Sequence, residues 1–123
     1  MKISFDSIKP IYLQIAEGIA DDIIEGRLEE GNPAYSQLVI AKELDINPAT
    51  AAKGINVLVQ KGILIKQRGL PMIVASGARD ELLKERRENR VEELSEELVE
   101  EAKRVGMSCD ELNQCIFEIY NKH

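Results

Sequence analysis

The chain holds a single histidine, and it is the last residue, His123. Its two cysteines, Cys109 and Cys115, stand close to the same end. A structural zinc site takes about four Cys or His ligands, and a disulfide framework takes several paired thiols, so neither is expected here. Both cysteines read instead as free helix residues, at least partly packed. No serine or cysteine stands beside a plausible base, and no glycine-rich phosphate loop is present. The many glutamates lack the histidines of a carboxylate-bridged metal site. These absences point away from an enzyme, a metal and a cofactor. No apolar run approaches the roughly 18 residues needed to span a bilayer. The opening Met1-Lys2-Ile3-Ser4-Phe5-Asp6 turns polar too quickly for a secretory signal, so no membrane association and a cytoplasmic location are expected.

What is present suits one globular domain, or a compact domain with a helical appendage: 123 residues, 44% hydrophobic and 31% charged. The net charge of −6 is unevenly spread. Between Ser36 and Ser76, Lys42, Lys53, Lys61, Lys66 and Arg68 face only Glu43 and Asp45, a local +3, so the remainder carries −9. A basic island in an acidic chain marks a candidate surface for a polyanion.

Pro10 suits the first turn of a helix, where its missing N–H would be unpaired anyway. Beyond it the pairs Ile11/Tyr12, Ile15/Ala16, Ile19/Ala20 and Ile23/Ile24 recur every fourth residue. With Glu17, Asp21, Asp22 and Glu25 between them, they predict an amphipathic helix that Gly26 ends. Residues 27–33 then read as a loop. Ser36 is a good N-cap for a short helix through Leu44, with Val39, Ile40 and Leu44 as its inner face. Asp45 follows at a corner where a short polar side chain tolerates a left-handed backbone. Asn47 caps a third helix, Pro48 opens it and Gly62 stops it. Its Ala51, Ile55 and Leu58 fall at i, i+4 and i+7 and face inward, leaving Ala49, Ala52, Lys53 and Asn56 outside.

Ile63-Leu64-Ile65 and Met72-Ile73-Val74 are β-prone runs around Arg68-Gly69-Leu70-Pro71, a hairpin whose gap is longer than a two-residue turn. Ser76 is expected to cap a long helix reaching about Val105, with Lys103 and Arg104 in its last turn and Gly106 just beyond. Its charged run from Lys84 to Arg90 reads as a solvated face, or, through Arg86, Arg87 and Arg90, as a group lying near a DNA backbone or lining an anion site at a dimer seam. Its second half carries an apolar stripe of Val91, Leu94, Leu98, Ala102 and Val105. Ser108-Cys109-Asp110-Glu111 matches a capping box before a final helix lined by Leu112, Ile116, Ile119 and Tyr120.

Helix, helix-turn-helix, hairpin is the order of a winged helix. The expected fold is mainly α with a small β-hairpin: a winged helix-turn-helix over residues 1–75 and a two-helix C-terminal dimerisation region over residues 76–123. The stripe on the long helix is too extended for one short helix to cover, so a second copy of the chain is the expected cover. A helix-turn-helix lays its second helix in the major groove of double-stranded DNA while the first braces on the backbone. Ala49, Thr50, Ala52, Lys53 and Asn56 are then the groove-facing candidates. The helix start at Asn47 to Thr50 offers free backbone N–H groups to phosphate.

At these residues the chain resembles a known family. Pro10-Ile11-Tyr12-Leu13-Gln14-Ile15, Ile24-Glu25-Gly26-Arg27-Leu28 and Gly31 look like the opening of the GntR family of bacterial regulators. Ala41-Lys42-Glu43-Leu44-Asp45-Ile46-Asn47-Pro48 with Thr50, then Leu58 and Gly62-Ile63-Leu64, continue the likeness. Glu100-Glu101-Ala102-Lys103-Arg104-Val105-Gly106-Met107-Ser108 is similar to the tail of its YtrA branch, which carries two dimerisation helices in place of a large effector domain. The resemblance implies a dimeric repressor or activator, with Ser36, Thr50 and Lys53 meeting DNA at the helix-turn-helix and Arg68 and Gly69 at the wing. No effector is named by it.

Several family positions are occupied differently. Tyr35 stands where the family has a proline and Leu38 where it has an arginine. Pro48 and Ala52 replace arginines of the second helix, and Gly69-Leu70-Pro71 replaces Gly-Arg-Gly at the wing. Each missing bidentate guanine contact removes roughly 1–3 kcal/mol of discrimination. Two functions stay open on these residues: a sequence-specific DNA-binding transcription regulator acting as a dimer on an inverted repeat, and a winged helix kept as a protein-interaction module with reduced DNA binding.

Overall fold

In the computed structural model, which describes residues Met1–His123, Pro10 stands one residue ahead of the first helix. Its carbonyl accepts from the amides of Leu13 and Gln14 at 3.1 and 3.2 Å, and helix α1 runs Ile11–Ile24. The four-residue repeat buries Ile15, Ala16, Ile19, Ala20 and Ile23. Asp22 is buried too, only 6% exposed, although its place between the apolar pairs reads as solvent-facing.

Ser36 caps helix α2 (Gln37–Leu44), its Oγ accepting from the Val39 amide at 3.1 Å. The inner edge of α2 is Ile40 and Ala41 with a half-buried Leu44, and Val39, expected inside, is exposed. The helix leans on its Ile40–Ala41 edge, about 100° round the axis from Val39 at each step of one residue. Asp45 sits at φ 52, ψ 54, as its short polar side chain allows. Asn47 Oδ1 then accepts from the Ala49 amide at 2.8 Å, and Pro48 opens helix α3 (Pro48–Gln60). Helix α3 buries Ala51, Gly54, Ile55 and Leu58. At Gly54 a Cβ would lie 2.7 Å from the carbonyl oxygen of Tyr12 and 2.9 Å from Ile15 Cγ2. The two helices therefore touch with no room for a methyl group.

Strands β1 (Leu64–Gln67) and β2 (Leu70–Val74) pair antiparallel. They reach closer to the tip than expected, so the turn is Arg68-Gly69 alone, with Gly69 at φ 72. Beyond Ile65↔Ile73 the register shifts, with one residue of β1 and two of β2 (Pro71 and Met72) before Gln67 meets Leu70. Pro71 has no N–H to donate, and such an irregularity is where a ladder tolerates it. The segment before α2, read as loop to Pro33, also joins this sheet. Gly31 N donates to Val74 O at 2.8 Å, Val74 N to Asn32 O at 3.0 Å and Ala34 N to Met72 O at 2.8 Å.

Helix α4 (Ala78–Glu85) does not start from Ser76. Gly77 takes φ 82, and the cap comes from Glu30, whose carboxylate accepts from the Gly77 amide at 2.7 Å and the Arg79 amide at 3.3 Å. Ala78 and Leu82 complete the core built by α1, α2, α3 and the hairpin. The first compact unit is accordingly Met1–Lys84 and the second Glu85–His123, a division later than residue 75 because the start of α4 packs with the first unit.

The second unit opens with a π-type turn over Arg86–Arg90, followed by helices α5 (Val91–Arg104) and α6 (Cys109–Lys122). Gly106 at φ 76 ends α5. The capping box is reciprocal: Ser108 N donates to Glu111 Oε1 at 3.0 Å and Glu111 N to Ser108 Oγ at 3.1 Å. Cys109, the first residue of α6, is exposed rather than packed, and Cys115 is half-buried. No helix is long and apolar enough to cross a membrane.

The contact at Gly54 can be tested directly. Alanine there gains up to about 1 kcal/mol of helix propensity. It must also push apart a pair of close-packed backbones, at roughly 1–3 kcal/mol. Gly54→Ala is expected to lower the urea midpoint of unfolding; an unchanged or higher midpoint would mean that α1 and α3 separate freely.

Candidate nucleic-acid interface

One side of α3 is spent on the core, and the other is left uncovered. Ala49, Lys53 and Asn56 are exposed and Ala52 is half-buried, the i, i+3, i+4, i+7 spacing of a single helix face. Thr50 lies half-buried on its flank. Lys53 carries the only positive charge on α3, and its ammonium lies 4.1 Å from the centre of the Tyr12 ring. That cation–π contact, worth about 0.5–1 kcal/mol at an exposed site, makes Tyr12 part of the surface. Periodicity alone marks Tyr12 only as an apolar position of α1.

Ser36 and Asn47 are both exposed, yet their side-chain oxygens already cap α2 and α3. Their role at the surface is to fix the two helix starts. Arg68 and Gly69 form the exposed tip of the hairpin. Leu38 is also exposed, at 70%.

Behind α2 lies a polar clamp that the sequence did not reveal. Buried Asp22 accepts from Arg27 Nε at 2.8 Å and from the Tyr35 hydroxyl at 2.5 Å. Arg27 Nη2 adds an ion pair at 2.7 Å. Tyr35 directly precedes the cap residue Ser36, so the clamp ties the entry of α2 to α1. Burial first, and the hydrogen bond to Asp22 second, push the Tyr35 phenol up to about 12. Glu30 and Arg79 form a second tie, the latter donating from Nε to the Ile24 carbonyl at 2.9 Å.

In the second unit the stripe named from sequence divides in two. Ala102 and Leu112 are buried, one on either side of the turn at Gly106 that joins α5 to α6. Val91, Leu94, Leu98, Val105, Ile116, Ile119 and Tyr120 are exposed, as are Val99 and Phe117, which the stripe did not include.

No protein-family model matches the chain. The uncharacterized HTH-type transcriptional regulator YhcF of Bacillus subtilis (strain 168) is 30% identical over 112 residues, 91% of each chain. YtrA from Sulfolobus acidocaldarius, a GntR-family transcription factor, is 30% identical over 99% of this chain and 97% of its own, with a TM-score of 0.58. The chain belongs to the GntR family of transcription regulators. The YtrA branch named from the sequence is thus matched by a relative along nearly the whole length. A GntR family transcriptional regulator from Listeria monocytogenes shares the fold, at 24% identity and a TM-score of 0.75, covering 93% of this chain and 98% of its own. The mostly helical architecture with a two-stranded hairpin is therefore the winged helix of this family.

The clamp yields a pH test with a definite sign. A phenol whose folded pKa is raised contributes stability in full below its ordinary value of 10.0, and that contribution is lost as pH climbs through about 12. Tyr35→Phe is expected to abolish this alkaline loss in urea unfolding followed against pH. At neutral pH it should cost about 1–3 kcal/mol, since Asp22 stays buried with one partner fewer. A variant as stable as the parent at every pH would remove the clamp from the account of α2.

Proposed function

We propose that the protein is a DNA-binding transcription regulator that acts as a homodimer on an inverted-repeat operator. The observation that carries this reading is the uncovered face of α3, which follows its capped start at Asn47 and lies within the basic island. Such a helix fits the major groove, with Asn56 and Thr50 as base-reaching groups, Asn47 and Ser36 holding backbone amides toward phosphate, and Lys53 as a nearby cation. Arg68 at the hairpin tip suits a phosphate or the minor groove, where a narrow A·T tract attracts a guanidinium.

The dimer is supported by the exposed apolar face of the second unit. Val91, Leu94, Leu98 and Val105 on α5 and Ile116, Ile119 and Tyr120 on α6 are large apolar side chains left exposed, and a second copy covers such stripes symmetrically. Ala102 and Leu112 serve it indirectly, by setting the corner between α5 and α6. A two-fold dimer presents two copies of α3, hence half-sites about one helical turn apart or a multiple of it.

A second reading, a winged helix serving as a protein-interaction module with reduced DNA binding, is favoured by Leu38, Val39 and Leu70, which are apolar and exposed. Titrating the full-length protein with a duplex from its own promoter separates the two. Tight binding over random DNA supports the regulator, and equal weak binding to both supports the module.

Two outcomes follow for variants. Arg68→Ala is expected to weaken binding to operator and random duplexes alike. It should also flatten the slope of log K against log salt by about 0.9, the value of one phosphate contact. An unchanged slope would take Arg68 off the DNA backbone. Leu98→Glu would bury an unpaired charge in the dimer seam, a loss of roughly 3–5 kcal/mol. Sedimentation velocity is expected to find monomer, and a variant that remains dimeric would place the interface elsewhere.

A further inference from the structure

Reading guanine in the major groove calls for a forked or charged donor, typically arginine across O6 and N7. Helix α3 has no arginine, and its one lysine is already stacked on Tyr12. The capping oxygen of Asn47 is taken as well. What α3 still presents at i, i+3 and i+7 is the methyl of Ala49, the methyl of Ala52 and the amide of Asn56. Methyl side chains meet the thymine C5-methyl group, and an asparagine amide pairs with adenine N6 and N7.

We infer that Ala49 and Ala52 recognise thymine methyl groups and that Asn56 reads adenine, so each half-site is built on A·T pairs where an arginine-bearing helix would take G·C. The inference rests on the DNA-binding reading above and names the base chemistry of that same site. Lys53, held beside the helix by Tyr12, then supplies attachment rather than base choice.

The test begins with selection from a randomised duplex library by the full-length protein. Thymines of the selected site are next replaced one at a time by deoxyuridine, which keeps the base pair and deletes only the methyl group. Fluorescence anisotropy is expected to show affinity falling about fourfold at each thymine facing Ala49 or Ala52, the worth of one buried methyl. Ala49→Gly should erase the uracil effect at one of those positions while the other persists. Because the decisive change is made in the DNA, folding of the variant does not enter it. Selected half-sites centred on G·C, or A·T sites indifferent to uracil, would overturn the inference and leave DNA binding standing. A library from which nothing is enriched would overturn both.

Discussion

The working surface of the first unit depends on how closely α1 and α3 lie. Gly54 sets the backbone of α3 against the Tyr12 carbonyl and the side chain of the fully buried Ile15. At interior packing density such a contact admits one arrangement, not a range. The crossing decides which side of α3 is lost to the core and which side stays open. It also brings the Tyr12 ring to Lys53. Helix α1 then reaches the other elements through polar ties, holding α2 by Asp22 and Tyr35 and α4 by the Ile24 carbonyl and Arg79. A larger residue at position 54 disturbs the scaffold and the surface together.

Features governed by neighbours in sequence were legible before any coordinates. The four-residue repeat of α1, the caps at Ser36, Asn47 and Ser108, the left-handed Asp45 and the outward set Ala49, Ala52, Lys53 and Asn56 all follow from local spacing. What escaped was decided by contacts distant along the chain. Ser36 and Ser76 look alike as capping residues, yet Glu30, 47 residues before Gly77, takes the second cap. Asp22 reads as a solvated carboxylate because nothing nearby announces Tyr35, 13 residues on. Val39 and Ile40 are equally apolar, and only the tilt of α2 on the core chooses between them. In the candidate interface, the helix face was readable from periodicity, while the hold of Tyr12 on Lys53 required knowing that α1 crosses α3.

The two units are stabilised in different ways. The first buries a continuous apolar core drawn from α1, α2, α3, the hairpin and the start of α4. The second buries only Ala102 and Leu112, and helices of this length are marginal in water without packing. In the proposed dimer, covering the exposed face of α5 and α6 and stabilising those helices are one event. Stability of that unit is then tied to protein concentration, as in homodimers whose monomers are not independently folded.

The distribution of charge and the base chemistry of α3 bear on each other. The chain is acidic overall, but at physiological ionic strength exposed carboxylates act on a polyanion only over about 8 Å. In the proposed complex, attachment falls to the cations of the island between Ser36 and Ser76. Those contacts weaken steeply with salt, because each phosphate neutralised releases counterions that added salt resists. Methyl-to-methyl packing has no such dependence and is, if anything, favoured as excluded salts strengthen burial. On the proposed readout, a helix with Pro48 and Ala52 where the family has arginines gives up salt-sensitive affinity, while the methyls of Ala49 and Ala52 keep a salt-insensitive term for choosing bases. On that reading, rising salt releases non-specific DNA faster than the operator, and selectivity increases while total binding declines. For a protein whose 16 Lys and Arg are outnumbered by 22 Asp and Glu, the proposed readout favours discrimination between sites over affinity for DNA at large.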